Sequence, residues 1–284
     1  MRQVVTDYVT LTKPKVQSLL LLTTVTTMYI AGDPSLGLVA LTVLGGYLSA
    51  GGAGAVNHYW DRDIDAQMAR TASRPVPSGR VSPPAALRFG IALGIASFAL
   101  LSLTVNLLSA VLALCGFLGY VFVYTAWLKR TTPQNIVIGG AAGAVPPLVG
   151  WAAVTGSLDP TALYLFAIVF YWTPPHFWAL SLLMKDEYAR VGVPMMPVAR
   201  GEVETRRQIV LYTVLLVVLT GLPFAFGMFG WLYAAAAAGL GTAFLVLSVR
   251  LQRRADRRSA LTTYLFSLSY LALLFCAMVL DARL

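Results

Sequence analysis

Nine apolar segments, each close to the length that crosses a lipid bilayer, limit what this chain can fold into. A spanning helix needs about 20 mostly apolar residues, and inside a bilayer only helices and closed barrels satisfy their backbone hydrogen bonds. The chain is 12% charged, against roughly 25% in a soluble domain. The sequence predicts an all-α integral membrane protein, a bundle of nine transmembrane helices forming one domain over 1–284. We place these segments at 16–32, 36–57, 86–106, 108–127, 135–155, 160–183, 208–229, 231–250 and 261–280.

Positive charges follow the alternation of these segments. All but one of the 21 Lys and Arg residues lie before segment one or around the connections after segments two, four, six and eight. The positive-inside rule then places the N-terminus inside and the C-terminus outside. The net charge of +9 is thus a topology signal, and we expect no nucleic-acid partner. No signal or transit segment precedes segment one, which favours the cytoplasmic (inner) membrane of a bacterium.

An amide and two carboxylates follow segment two at regular spacing. Asn57, Asp61 and Asp65 stand four residues apart, so on a helix they share one face, with Asp63 on the opposite side. Such an all-oxygen set, here called the oxygen stripe, is typical of Mg²⁺ sites, where water and substrate phosphates complete the shell. Alternatively, these side chains only pair with nearby arginines.

A second acidic pair, Asp186 and Glu187, follows segment six. Two acidic clusters on one membrane face suit two Mg²⁺ ions bridged by a diphosphate. The alternative is a solvated loop.

Aromatic and basic residues end segment four. Tyr120 and Tyr124 share a helix face and precede Lys129 and Arg130. Aromatic faces stabilise a carbocation while the bases bind its leaving group. An interfacial aromatic belt with snorkelling cations explains the same pattern.

Prolines interrupt two segments. Pro146 and Pro147 in segment five break backbone hydrogen bonds, which a membrane helix tolerates beside protein or a water-filled cavity. We therefore expect a cavity there. His176 lies inside segment six after another proline pair. Ionisable residues within a span are usually functional; His176 is a haem ligand, a proton acceptor or a histidine satisfied by backbone of a broken helix.

Four groups of residues form further motifs: Asn57-x-x-x-Asp61-x-x-x-Asp65 with Arg70, Thr71, Arg74 and Pro75; Tyr124-Thr125-x-x-Leu128-Lys129-Arg130 through Gly140; Trp172-Thr173-Pro174-Pro175-His176-Phe177-Trp178; and Tyr188 with Gly192-x-Pro194-Met195. Together these motifs resemble the UbiA superfamily of intramembrane prenyltransferases, and within it the branch that farnesylates haem. The resemblance runs from about residue 10 to the end. One departure is the second Asp-x-x-x-Asp motif, since the residue four before Glu187 is Leu183 and the residue four after Asp186 is Arg190. We favour Glu187 as the metal ligand there.

The resemblance implies Mg²⁺-dependent transfer of farnesyl from farnesyl diphosphate to a vinyl group of haem B, making haem O. It further implies a central cavity open to the lipid bilayer, an active site on the cytoplasmic side, and haem A synthase or a terminal oxidase assembly as possible partners. Carried over by position, the expected metal ligands are Asn57, Asp61, Asp65 and Glu187; the catalytic residues are Asp61, Asp65, Tyr124 and Lys129; the substrate-binding residues are Arg70, Arg74, Arg130, Asn135, His176 and Arg190.

Three other interpretations stay open. A UbiA-type enzyme acting on an aromatic or quinone precursor would be favoured by a complete second Asp-x-x-x-Asp motif. A transporter would place ionisable residues near the midplane, whereas here nearly all charges lie at the inner ends. A haem-binding subunit without catalysis would not need the oxygen stripe.

Overall fold

A computed structural model describes residues 2–284, and in that range all regular secondary structure is helical. We number thirteen continuous helices in chain order, counting the unbroken run Leu107–Thr131 as one. They are α1 (Arg2–Leu11), α2 (Pro14–Ala31), α3 (Leu36–Trp60), α4 (Arg62–Gln67), α5 (Pro83–Thr104), α6 (Leu107–Thr131), α7 (Asn135–Thr155), α8 (Pro160–Leu183), α9 (Lys185–Arg190), α10 (Met196–Ala199), α11 (Gly201–Ala225), α12 (Trp231–Arg254) and α13 (Arg257–Asp281).

The nine long helices within residues 2–284 overlap the nine apolar segments. The predicted all-α membrane fold is therefore confirmed. Seven are long and apolar enough to cross a bilayer: α3, α5, α6, α7, α11, α12 and α13. The other two, α2 and α8, carry polar or helix-breaking residues inside the protein. Thr23, Thr24 and Thr27 of α2 and His176 of α8 are buried, and such residues lower the mean hydropathy of a helix that faces its neighbours.

The start of α11 and the presence of α1 are the main differences from the predicted segments. Helix α11 begins at Gly201, seven residues before the apolar segment, because charged residues continue the helix. Among them, Arg206 pairs with Glu202 one turn earlier at 3.0 Å, as such pairs do on helix surfaces. A first amphipathic helix, α1, was not predicted at all; its buried Asp7 accepts a hydrogen bond from Arg80 at 3.0 Å.

Glycines bring α3 and α5 into backbone contact. A methyl group added at Gly52 would lie 2.6 Å from the carbonyl oxygen of Gly90, and one added at Gly90 would lie 2.7 Å from that of Gly52. Small residues allow this close approach between membrane helices. The packing interpretation of the α3 glycines is therefore confirmed at Gly52.

A mostly apolar cavity of about 220 Å³ lies between α2, α3, α6, α7 and α8. Pro146 lines it, together with Gly139, Gly140 and Gly143 of the same helix. The cavity predicted beside the proline pair is present. Its lining runs along α7 from Ile136 to Val149, about 20 Å at 1.5 Å per residue. This shape suits a long, narrow apolar group.

Candidate active site

The oxygen stripe lies where α3 ends, and it is buried. Relative exposure is 4% for Asn57, 1% for Asp61 and 3% for Asp65. The stripe is not on one unbroken helix as expected, since α3 ends at Trp60 and Asp61 joins it to α4. The Asp61 N–H still donates to the Asn57 carbonyl (2.9 Å) and the Asp65 N–H to the Asp61 carbonyl (2.7 Å). Helical hydrogen bonds between residues four apart therefore continue through Asp61, although the helix is interrupted there.

Basic side chains bind each member of the stripe. The Asp61 Oδ2 atom accepts hydrogen bonds from Lys129 Nζ and from Asn57 Nδ2, the latter at 2.7 Å. Arg74 donates to Asp65 Oδ2 at 2.8 Å. Lys13 Nζ donates to Asn57 Oδ1 at 2.5 Å. The alternative that these side chains pair with arginines thus holds in part, for Asp65 with Arg74.

Two further contacts to the stripe were missed by sequence reasoning. Lys13, which we used only as a topology charge, lies in the turn between α1 and α2 and lines the cavity. Burial, with the positive charges of Arg74 and Lys129 nearby, lowers the pKa of Lys13 to about 7. Thr125 of α6 accepts from Asn57 Nδ2 at 3.2 Å. Only the position of Thr125 beside Tyr124 in a family motif hinted at it.

The stripe fits a hard cation such as Mg²⁺. Its donor atoms are all oxygens, the ligands that Mg²⁺ prefers. The Asp61 Oδ1 atom is buried and accepts no hydrogen bond from residues 2–284; Arg130 approaches it only to 3.6 Å. A buried acceptor without a partner is costly, and a cation would satisfy it.

Glu187 does not form a metal-binding cluster with Asp61 and Asp65. Across residues 2–284, no three His, Cys, Asp or Glu side chains converge closely enough to hold a metal. Glu187 Oε2 is nonetheless buried without a hydrogen-bond partner in that range, whereas Asp186 is exposed. A metal role for Glu187 stays a prediction.

Arg130 is bound by the carboxylate on the opposite side of the stripe. It donates to both oxygens of Asp63, at 2.8 and 2.7 Å, and to the Trp60 carbonyl at 3.0 Å. The Asp63 side chain is 58% exposed, which confirms that it faces away. The hydrogen bond from Arg130 lowers the pKa of Asp63 to about 2. Arg130 thereby anchors α4 to the end of α6.

Arg70 links the connection after α3 to the connection after α8, where the two acidic clusters were predicted. It donates to the Tyr188 hydroxyl at 3.0 Å and contacts Met184 Sδ at 2.9 Å. Its guanidinium also lies over the Tyr188 ring, 5.5 Å from the centroid. The connections after α3 and α8 therefore meet, as two clusters on one face require.

The other predicted substrate-binding residues differ in their surroundings. Arg190 is exposed, and the described part of the chain offers it no recorded hydrogen bond or ion pair. Asn135 is fully buried at the start of α7 and donates to the Thr132 carbonyl at 2.7 Å, while its Oδ1 atom has no partner in residues 2–284. Their substrate contacts stay predictions.

Tyr120 and Tyr124 lie on an unexpected helix type. Gly119–Leu128, within α6, is π-helical, and such turns are frequent at functional sites. The two rings remain neighbours, with centroids 5.4 Å apart, and both line the cavity. Gly139 of α7 makes room for them, since a methyl group there would lie 2.5 Å from Tyr124 Cδ2.

His176 is held by α13. Its Nδ1 atom lies 2.7 Å from Ser267 Oγ, and its ring stacks on Trp172 with centroids 4.2 Å apart. Trp172, Thr173 and Phe177 line the cavity, but His176 itself does not. The histidine is satisfied, as one of the three interpretations expected, although by a serine side chain instead of backbone.

In this helical membrane bundle, Lys13 lines the apolar cavity and binds Asn57, which in turn binds the buried carboxylate of Asp61. An apolar cavity beside a buried charged cluster has the features of an intramembrane prenyltransferase. A model of the UbiA prenyltransferase family matches residues 20–273, and the chain belongs to that family.

Three relatives show which members of the family this chain resembles. The chain is 58% identical to "Protoheme IX farnesyltransferase" of Roseiflexus sp. strain RS-1 over 97% of its length, and to the Roseiflexus castenholzii protein of the same name at 57%. It spans about half the length of these relatives (52%). With the Symbiobacterium thermophilum protein of that name it is 55% identical over 98% of this chain and 95% of the relative.

Solved structures share the fold. A digeranylgeranylglyceryl phosphate synthase superposes with a TM-score of 0.81 at 20% identity, covering 99% of this chain and all of the other. A UbiA homologue from Archaeoglobus fulgidus bound to DMAPP and Mg²⁺ gives 0.75 at 18% identity, covering 96% and 99%. At these identities the likeness concerns the fold alone.

Proposed function

We propose that this protein transfers a farnesyl group from farnesyl diphosphate to a vinyl group of haem B, making haem O. The observation that carries the proposal is the long apolar cavity, with Lys13 and Tyr124 in its lining and Lys13 bonded to the buried oxygen stripe. A prenyl diphosphate has the matching form, an apolar chain with an anionic head. The choice of haem as acceptor is supported by relatives of 52–58% identity that are named Protoheme IX farnesyltransferase.

The oxygen stripe would hold Mg²⁺, and the bound metal would supply charge neutralisation for the departing diphosphate. Lys129, Arg70 and Arg74 would bind diphosphate oxygens and favour ionisation of the allylic C–O bond. Tyr124 presents its ring to the cavity, where it would stabilise the allylic cation. The apolar walls exclude water that would otherwise quench this cation. A haem vinyl carbon would then bond to the farnesyl cation, which moves the positive charge to the neighbouring vinyl carbon. A water molecule would add at that carbon and lose a proton.

The proposal includes a topology. All nine long helices cross the cytoplasmic membrane of a bacterium as one domain over 1–284, with the N-terminus and the active site inside and the C-terminus outside. It is supported by the distribution of Lys and Arg among the connections and by the buried polar residues that account for the low hydropathy of α2 and α8. The proposal also includes four residue roles taken from the family resemblance. Arg130 and Arg190 would bind substrate, Glu187 would bind metal, and His176 would lie near the haem.

The test is a direct assay with the purified, detergent-solubilised protein, haem B, farnesyl diphosphate and Mg²⁺. We expect haem O by mass spectrometry, and its loss with EDTA or with Asp61→Ala. Farnesyl transfer to an aromatic or quinone precursor instead would keep the family chemistry and refute haem as acceptor. No transfer to any acceptor from folded protein would refute the enzyme assignment.

A further inference from the structure

Each side chain of the oxygen stripe already accepts a hydrogen bond from a basic side chain of this protein. Lys13 binds Asn57, Lys129 binds Asp61, and Arg74 binds Asp65. Lys129 and Arg74 each bind only the Oδ2 atom of their carboxylate, whereas Lys13 binds the single side-chain oxygen of Asn57. A metal ion that takes all three side chains as ligands therefore competes with Lys13 for the Asn57 oxygen.

Of these donors, Lys13 has the most constrained position. It has a left-handed backbone, with φ 54° and ψ 55°, which is uncommon for a residue with a side chain and persists only where its surroundings enforce it. Gly54 of α3 contributes, because a methyl group there would lie 3.1 Å from the Leu11 carbonyl oxygen and 3.7 Å from Lys13 Cδ. The turn between α1 and α2 is thus packed against α3 in a way that delivers Lys13 to Asn57.

We propose that Lys13 keeps the oxygen stripe closed to divalent metal until a diphosphate arrives, so that metal and diphosphate bind together and not in sequence. The inference rests on the prenyl diphosphate substrate proposed above, but not on the haem acceptor. In this proposal Lys13 controls when the metal binds, and it is neither a metal ligand nor a catalytic residue.

Charge explains why the diphosphate would open the site. Without an anion, a divalent cation adds two positive charges beside Lys13, Lys129, Arg74 and Arg130, and like charges at such short range repel. A diphosphate offers Lys13 and Lys129 new oxygen partners and offsets the added charge. Coupling between two ligands is reciprocal, so diphosphate should also bind more tightly when metal is present.

The test measures Mn²⁺ binding by equilibrium dialysis, with and without inorganic diphosphate, on the full-length protein in detergent. For the wild type we expect Mn²⁺ affinity to rise at least about tenfold with diphosphate, equivalent to about 1.4 kcal/mol. Lys13→Met keeps the aliphatic stem but loses the donor, and we expect it to raise Mn²⁺ affinity without diphosphate by at least about tenfold. Lys15→Met, at an exposed position two residues away, is the matched control and should leave affinity unchanged.

Lys13→Arg keeps a donor for Asn57 and should behave as the wild type, which separates the hydrogen bond from any effect on folding. Equal Mn²⁺ affinity of the wild type with and without diphosphate would overturn the proposal, even if Lys13→Met fails to fold. So would a gain in Lys13→Arg as large as in Lys13→Met, or no gain in a folded Lys13→Met. Absence of haem O alongside intact coupling between Mn²⁺ and diphosphate would refute only the acceptor.

Discussion

At the scale of single residues, Asp61 is the most deeply buried member of the oxygen stripe. It lies between α3 and α4, is 1% exposed, and accepts from Lys129 and Asn57 through one oxygen while the other has no hydrogen-bond partner in residues 2–284. Buried carboxylates are rare unless paired. Asp63, two residues on, is exposed and bound by Arg130, so the two carboxylates differ in their surroundings, not in their type.

We expect Asp61→Asn to lower kcat/KM for farnesyl transfer by at least about 100-fold, because it removes the buried charge that binds Lys129 and that we propose holds the metal. Asp63→Asn is the matched control. It should lower kcat/KM by less than about tenfold, since it weakens an exposed ion pair. Steady-state kinetics of the two variants make the comparison, and equal losses would contradict the assignment of Asp61 to the metal.

At the scale of elements, the π-helical stretch of α6 and the glycines of α7 fit one another. The wider π turn places the Tyr124 ring against α7 where only Gly139 leaves room for it. Gly143 lines the same cavity one turn later, yet a methyl group there would meet nothing within 4 Å. Gly143 therefore has room for a larger side chain, whereas Gly139 does not.

We therefore expect Gly139→Ala to displace Tyr124 and lower the rate of farnesyl transfer about tenfold or more, the effect of about 1–3 kcal/mol of overpacking. Gly143→Ala should stay within about threefold of the wild type and gain slightly in thermal stability, since Ala is the better helix former by about 1 kcal/mol. Transfer rates and unfolding midpoints in detergent test both. Equal behaviour of the two variants would exclude the proposed contact.

The turn between α12 and α13 also carries local strain. Ala255 has φ 54°, in the left-handed region that costs an Ala residue about 1–2 kcal/mol. We expect Ala255→Gly to stabilise the protein by roughly 0.5 kcal/mol, after the entropy that Gly adds to the unfolded chain. Unfolding midpoints at one scan rate measure this. Ala282→Gly, where φ is −69°, should gain nothing, and a lower midpoint for Ala255→Gly would refute the strain.

At the scale of the whole molecule, antiparallel helices bring distant connections to one end. Lys13 precedes α2, Asn57 ends α3, Lys129 ends α6 and Asn135 begins α7. Lys13, Asn57 and Lys129 meet through the contacts described above. Arg283 lies at the C-terminal end of α13 and pairs with Asp33 between α2 and α3. The charges of the site and this last arginine therefore occupy opposite ends of the bundle.

The proposed topology predicts which connections face the cytoplasm. In a variant without Cys115 and Cys276, Ser157→Cys, between α7 and α8, should react with an impermeant maleimide added to intact cells. Ser78→Cys, between α4 and α5, should react only after permeabilisation. Both serines are exposed, so accessibility does not separate them. The reverse pattern would invert the topology. Labelling of both in intact cells would place them on the same side and rule out the odd number of spans, namely α5, α6 and α7, that the proposed topology puts between them.

Hydropathy and helical spacing act over a few neighbouring residues, so they were enough to predict the helical membrane fold, the cavity beside the prolines and the regular spacing of the oxygen stripe. The sequence by itself did not predict that Lys13 and Thr125 bind Asn57, from 44 and 68 residues away, or that Ser267 binds His176 from 91 residues away. Only the tertiary structure decided those contacts and the room at Gly139 for the π-helical turn. Which side chains meet depends on how helices pack, and the free energy of that packing is shared among residues far apart in the chain.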